Sequence, residues 1–329
     1  MTRYRRISVA VAVAASATLT LTACSSSGGR QQAEATAGAG AAPAKIMTVA
    51  FITHAAAGDT FWDLVRKGAE DAAEKDGVTL EYTPDPDGAN QANLVKQAMD
   101  KGVDGIAVTL AKPDALSGNV RSAVQAGIPV VALNAGSDVW RDMGVLSYFG
   151  QDEKIAGEEA GKRLTSEGAQ KVVCVIQEQG HVGLESRCDG VAAGHPQTEK
   201  LYVTGTDMGD VQSKVTAKLQ QDASVTHVMM LGAPFAMTAI KSIQESGSKA
   251  KLVSFDMNKD IVAQIKAGTV AWAVDQQPYL QGYLAVDSLW LHKTNGNVVG
   301  GGQPVLTGPS FVDSSNVAAV EQFAANGKR

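Results

Sequence analysis

Polar side chains just beyond apolar runs are the first places to look for chemistry, and this chain has a small set of them: Asn134, Arg187, Asp256 and Gln276. Asn134 follows the apolar residues 128–133, Asp256 follows 252–255, and Gln276 comes just after 270–274. Arg187 lies early in a helical pattern after the apolar run 172–176. A carboxylate such as Asp256 accepts hydrogen bonds from two vicinal hydroxyls, the Arg187 guanidinium donates in a planar fork, and the amides of Asn134 and Gln276 do both. Nearer the start, Asp59, Phe61 and Trp62 stand at the mouth of a small-residue loop, residues 54–58. Trp62 lies about 100° round a helix from Phe61, so one ring can serve the core while its neighbour does not. An adjacent aromatic pair at a loop mouth can also clamp a flat ligand between ring faces. Taken singly, each of the four polar residues is more simply a cap or a surface group, and Phe61 a core residue. As a set they suit a neutral, hydroxyl-rich ligand with two flat apolar faces, a sugar or a cyclic polyol.

Signals for other chemistry are weak. The chain has no Gly-x-Ser-x-Gly elbow and no His-Glu-x-x-His pair, so no catalytic residue is assigned. Residues 157–163, GEEAGKR, have the outline of a phosphate loop. They are one residue short of it, carry Arg163 where a Ser or Thr would reach Mg²⁺, and fall inside a helical pattern. The histidines, His54, His181, His195, His227 and His292, show no metal-ligand spacing, and His227 opens a strand as a structural residue would. No metal and no cofactor is expected. Cys174 sits mid-strand and Cys188 about one turn into the next helix. A disulfide between them and two buried free thiols are both open readings.

The elements that must position these residues alternate. Residues 49–52 are a strand, and the helix after the loop places Phe61, Leu64, Val65, Gly68, Ala69 and Ala72 at the three- and four-residue spacing of one buried face. Asp59 or Thr60 is placed to cap it. Strands follow at 79–82, 104–109, 128–133 and around 147–150, with helices at 89–101, from Pro113 and at 153–167. A second series has strands at 172–176, 201–203, 227–231, 252–255 and 270–274, then a long helix at 277–293, a strand around Phe311 and a helix from Ser314. Alternating strands and helices imply parallel sheets with right-handed crossovers, and about ten such units imply two doubly wound α/β domains rather than one. Ligands of such sheets bind outside the carboxyl ends of the strands.

Composition sets the compartment. The chain has 329 residues and a net charge of −5. Without residues 1–23, which hold Arg3, Arg5 and Arg6 and no acid, it has 26 basic and 34 acidic residues, a net of −8, which disfavours a nucleic-acid partner. Those 23 residues have the charged start and short apolar stretch of a secretory signal peptide. Their ending, Leu21-Thr22-Ala23-Cys24, resembles the bacterial lipoprotein box. That resemblance implies cleavage before Cys24, a diacylglycerol on its sulfur and an N-acyl chain, which at about 0.8 kcal/mol per buried CH₂ anchors the protein on the outer face of the cell membrane. Residues 24–44 then read as a flexible linker, with no aromatic residue and no apolar period to offset ordering.

From Lys45 onward the sequence resembles the type I periplasmic binding proteins of ABC importers, in the ribose/galactose-binding cluster. The carriers are Gly58-Asp59-Thr60-Phe61-Trp62 with Gly68-Ala69-Glu70, Asp104-Gly105-Ile106, Ala126-Gly127-Ile128-Pro129-Val130-Val131, Gln151-Asp152 with Ala156-Gly157, Arg187 with Gly190, Ser254-Phe255-Asp256, and Val274-Asp275-Gln276-Gln277-Pro278-Tyr279 with Gly282. The resemblance implies two Rossmann-like lobes joined by three hinge crossings. Residues 45–152 plus 277–305 would form the N-terminal lobe and 153–276 plus 306–329 the C-terminal one. It matches Asp59, Arg187, Asp256 and Gln276 to polar ligand-binding positions and Phe61 and Trp62 to stacking aromatics. Asn134 falls where an Asp is usual, Ala135 where an Arg is usual, and Leu231-Gly232-Ala233 lacks the usual Asn and Asp, so a sugar or polyol other than ribose is expected. The implied function is a monomeric lipoprotein that captures its ligand by hinge closure and delivers it to an ABC permease, not an enzyme. The alternatives are a sensory receptor partnering a membrane kinase or chemoreceptor and a secreted sugar-acting enzyme.

Overall fold

The computed structural model describes residues 47–329. The signal segment, Cys24 and residues 25–44 lie outside the described residues. No helix among the described residues is long and apolar enough to cross a membrane.

The first sheet is built from strands β1 (Thr48–Thr53), β2 (Thr79–Pro84), β3 (Gly105–Thr109), β4 (Val130–Leu133) and β5 (Tyr148–Gly150), closed at one edge by β11 (Val305–Leu306). Its order is β11-β5-β4-β3-β1-β2 and all its pairs are parallel. The second holds β6 (Val172–Ile176), β7 (Thr198–Tyr202), β8 (His227–Met230), β9 (Lys251–Phe255), β10 (Val270–Asp275) and β12 (Ser310–Asp313), in the order β12-β10-β9-β8-β6-β7. It is parallel except for β12, which runs antiparallel to β10. The fold is the expected α/β, doubly wound type. The central strands read as unbroken apolar runs because helices cover both faces. In β1, Val49 and Phe51 join one core while Ala50 and Ile52 join the other. In β6, Val173 and Val175 face one side and Val172, Cys174 and Ile176 the other.

The chain passes between the sheets at residues 150–153, 275–278 and 306–310. At the second passage Gln277 takes a left-handed conformation, φ 54°, and Pro278 opens helix α9 (Pro278–Asn295), where its missing N–H is no loss. Each half is braced by a helix pair brought together on glycine. Helix α1 (Phe61–Asp76) meets α9 so closely that a Cβ on Gly68 would lie 1.9 Å from the Tyr279 carbonyl oxygen, and one on Gly282 1.9 Å from that of Val65. In the other half, α4 (Glu153–Ser166) and α5 (Val182–Gly194) repeat the device: a Cβ on Gly157 would lie 2.0 Å from the Arg187 oxygen and one on Gly190 2.2 Å from that of Lys154. A disulfide joins Cys174 of β6 to Cys188 of α5.

Three local expectations shift. Strand β7 begins at Thr198, not near Leu201, because it is a half-exposed edge strand whose Thr-Glu-Lys start hides its pattern. The last helix, α10 (Val317–Ala325), starts after a turn in which Asn316 Oδ1 accepts the Asp313 N–H. Thr60 holds the N-cap position of α1 without a side-chain cap bond; the Asp59 carboxylate instead accepts the Phe61 N–H at 3.1 Å.

Because the α1–α9 contact leaves no room for a methyl group, Gly282→Ala should cost about 1–3 kcal/mol, the usual penalty of overpacking. Thermal melts of the two proteins check this, and an unchanged midpoint would mean that the helices do not approach so closely in solution.

Candidate functional site

The loops that leave the carboxyl ends of both sheets face one another across a cavity of about 370 Å³. From the first sheet come the loop after β1, with His54 and Asp59, the aromatic start of α1, Lys112 after β3, and Asn134 after β4. From the second come the segment after β6, with Gln177, Glu178 and His181, then Arg187 on α5, Leu231 and Gly232 after β8, and Asp256 after β9. Gln276 lies at the passage from β10 to α9. Asp59, Phe61, Trp62, Asn134, Arg187, Asp256 and Gln276, scattered over more than half the sequence, thus line a single cavity.

Backbone conformation aims several of them. Asn134 and Asp256 both adopt positive φ, 65° and 69°, as does Gln277 beside Gln276. Such conformations are uncommon for residues with a side chain and are held by their surroundings. Asn134 receives the Tyr148 hydroxyl on its carbonyl at 2.8 Å, and its own N–H reaches the Phe149 carbonyl at 2.9 Å. Its side-chain Nδ2 points to Gln276 Oε1 and Gln281 Oε1, both at 3.3 Å. Gln276 in turn donates from Nε2 to Asp256 Oδ1 at 2.6 Å. Gln281, fully buried on α9, donates to Gln276 Oε1 at 2.9 Å and to Thr307 Oγ1 at 3.1 Å. The amides form a continuous chain from one sheet's loops to the other's.

Arg187 is 4% exposed. Its Nε donates to Glu153 Oε2 at 2.7 Å, its Nη1 to the Leu231 carbonyl at 3.2 Å, and its guanidinium lies 4.4 Å over the Phe255 ring. Charge and orientation are therefore set by groups of its own half, and its other N–H donors remain for the cavity. Asp256 has no such counter-ion. Burial pushes its carboxyl up from 3.8 to about 7, against the pull of Arg187 and of the Gln276 amide. Asp59 rises to about 6, again chiefly through burial, with the Phe61 N–H opposing and Asp63 and Glu178 adding to the rise.

The aromatic pair differs from the expected clamp. Phe61 and Trp62 are both 7% exposed and meet edge to face, ring centres 5.1 Å apart and planes at 84°. Perpendicular rings cannot sandwich one flat ligand. They form a corner, with Phe235 of helix α7 (Ala233–Ser246) lining the cavity from the other half. Gly232 is needed there, since a Cβ would come within 2.9 Å of the Phe235 ring. His54 and His181 have no role legible in the sequence. They meet at the cavity edge, Nε2 to Nε2 at 3.0 Å. Local spacing could not reveal a pair 127 residues apart.

The sequence profile of the periplasmic binding protein domain matches residues 49–297. The chain belongs to the periplasmic binding proteins. A carbohydrate transporter from Acidothermus cellulolyticus 11B, whose crystal structure is in complex with myo-inositol, shares 54% identity with this periplasmic binding protein; the match covers 86% of this chain and 100% of that one, with a TM-score of 0.85. The xylose/arabinose-binding protein of Sulfolobus acidocaldarius is 25% identical over 292 residues, 82% of this chain and 71% of that protein. The ribose import binding protein of Bacillus subtilis is 25% identical over 235 residues, 69% of this chain and 76% of that one.

The raised Asp256 carboxyl has a consequence for stability. Its folded value, about 7, exceeds the 3.8 of a free carboxyl, so the folded protein holds a proton that the unfolded chain has lost. The stability this provides is complete below about pH 4 and is lost as pH rises through 7. One pKa unit is worth about 1.4 kcal/mol, so Asp256→Asn should gain about 2–4 kcal/mol on wild type between pH 4 and pH 8. Denaturant titrations at both pH values measure the gain; parallel pH profiles for the two proteins would show that Asp256 is not held protonated.

Proposed function

We propose that this periplasmic binding protein is an extracytoplasmic solute receptor that captures a cyclitol or a related monosaccharide, with myo-inositol the first candidate, and hands it to an ABC permease. The convergence of Asp59, Asn134, Arg187, Asp256 and Gln276 with three aromatic rings on one cavity carries this reading. Its cations are already matched, Arg187 by Glu153 and Lys112 by Glu178 at 2.9 Å. A neutral ligand therefore fits better than a phosphorylated or acidic one. Hydroxyls can donate to the carboxyl oxygens of Asp59 and Asp256 and receive from Arg187 and the amides, while the Phe61–Trp62 corner and Phe235 cover the apolar C–H faces of a ring. The 54% identity to a transporter in complex with myo-inositol supports the choice of ligand.

The two sheets form two lobes, residues 45–152 plus 277–305 and residues 153–276 plus 306–329, and the three passages between them act as hinges. A ligand that touches both lobes favours the closed arrangement by its differential affinity, and the permease reads that arrangement. Leu21-Thr22-Ala23-Cys24 supports lipid attachment at Cys24 on the outer face of the membrane, with residues 25–44 as the tether.

Thermal-shift and calorimetric screening of residues 45–329, a single compact unit, tests the assignment against inositols, pentoses, hexoses, linear polyols, amino acids and nucleosides. At 100 times its dissociation constant, myo-inositol should add about 2.7 kcal/mol of stability. The shift should vanish in Arg187→Ala and Asp256→Ala. Stabilisation by an amino acid or nucleoside and by no sugar or polyol would overturn the reading.

A further inference from the structure

His54 follows β1 in one lobe, and His181 caps α5 in the other. Both are buried, at 5% and 6% exposure, and their rings meet edge to face with Nε2 atoms 3.0 Å apart. The protons on this pair can be placed. His181 Nδ1 lies 3.0 Å from the Gly183 N–H and 3.3 Å from that of Leu184. Backbone N–H groups only donate, so Nδ1 is bare and the proton of the neutral ring is on Nε2. That N–H points at His54 Nε2, which must accept it. The His54 proton is then on Nδ1, 2.7 Å from Thr109 Oγ1, where it joins the His54 backbone N–H at 3.1 Å and Gln91 Nε2 at 2.9 Å as a third donor to that hydroxyl.

With Glu178 these histidines have the residue types of a metal site, their ligand atoms within 4.8 Å of one another. The His181 tautomer argues against a metal. Ligation through Nε2 would place a proton on Nδ1, facing two N–H donors. We propose that His54 and His181 form a proton-sensitive clasp across the cleft, which holds the lobes closed while His54 is neutral and releases them when it is protonated. The proposal deepens the receptor reading and rests on it.

The surroundings favour the neutral pair. Beside the clasp the Val182 N–H reaches the Ala111 carbonyl at 3.1 Å, and Lys112 pairs with Glu178, so the rings are shut off from water by further bonds between the lobes. Facing His54 are His181 and Lys112, which oppose a positive charge; Glu178, which is matched by Lys112; the edge contact with Trp62; and Thr109 beneath. Facing His181 are Arg187, Lys112 and the start of α5. Burial first, then His181 and Lys112, holds His54 well below the usual histidine range. Opening returns it to water, whereas His181 keeps its capping bonds inside its own lobe. Opening therefore takes up one proton, at His54. Closure is favoured above the free histidine value of about 6.5 and weakens tenfold per pH unit below it, about 30-fold by pH 5.

Calorimetric affinities for myo-inositol from pH 7.5 to 5.0, for residues 45–329 and for His54→Gln, test this. Glutamine can accept the His181 N–H but does not titrate. Asp59 and Asp256 titrate in the same range but are present in both proteins, so the ratio of the two affinities isolates His54. Wild type should lose about 30-fold relative to His54→Gln over this interval; a constant ratio would overturn the clasp and leave the receptor reading standing. Imidazole nitrogen NMR of the wild-type complex at pH 5.5 gives a second test that does not depend on the variant. His54 should be neutral with its proton on Nδ1 and His181 neutral with its proton on Nε2, and a doubly protonated His54 would overturn the clasp. Zinc should leave the melting midpoint unchanged; a stoichiometric rise lost in His181→Ala would replace the clasp by a metal site. If no polyol binds at pH 7.5 the receptor reading falls, and the same NMR tautomers in the free protein decide the clasp alone.

Discussion

A carboxyl group buried at the floor of a cleft must be paired with a cation or hold its proton, and Asp256 stands at the balance point between the two. Arg187, the nearest cation, is tied to Glu153 and stacked on Phe255, so Asp256 is left with the Gln276 amide as its hydrogen-bond partner. Much of the surrounding architecture holds this arrangement in place. Gln276 is fixed by Gln281 on α9, α9 is seated against α1 through Gly68 and Gly282, and Arg187 is carried by α5, which is seated against α4 through Gly157 and Gly190 and tied to β6 by the Cys174–Cys188 bond. Well-packed glycine contacts and buried amides thus support a polar cluster that is itself costly, the pattern expected where function is carried.

The parts that could be read in the sequence were those encoded locally. Strands such as β4 and β6 are buried along their whole length and appear as uninterrupted apolar runs. Polar residues next to such runs, Asn134, Asp256 and Gln276, could be placed at strand ends without knowing which strands were neighbours, and the doubly wound topology then brings the carboxyl ends of the parallel strands of a half to one side. What depends on distant pairing could not be read. The edge-to-face angle of Phe61 and Trp62 follows from packing around α1, with the His54 ring edge-on to Trp62. Gln281 sits among the apolar positions of a long helix and shows its role only when Asn134, Gln276 and Thr307 surround it. The Cys174–Cys188 pairing was one of two open readings because helix-to-strand distance is set by packing. The His54–His181 contact joins segments from different halves and has no local signature.

The forces within each half differ in kind from those between the halves. Inside, the contacts are apolar cores on both faces of each sheet and helix backbones in direct touch. Across the cleft they are single polar bonds: Lys112 to Glu178, Val182 to Ala111, Asn258 to Thr60 at 3.3 Å, and the two histidines. The first three, exposed or half-exposed, are worth about 0–1 kcal/mol each, since water replaces them readily; the histidine pair is buried. The lobes can therefore part at little cost to their own stability. Shifting a two-state balance from 1:99 to 99:1 takes about 5.5 kcal/mol of differential affinity. These few cross-cleft bonds fall short of that without a ligand, so in the proposed receptor the remainder is supplied by a ligand that bonds both sides of the cleft.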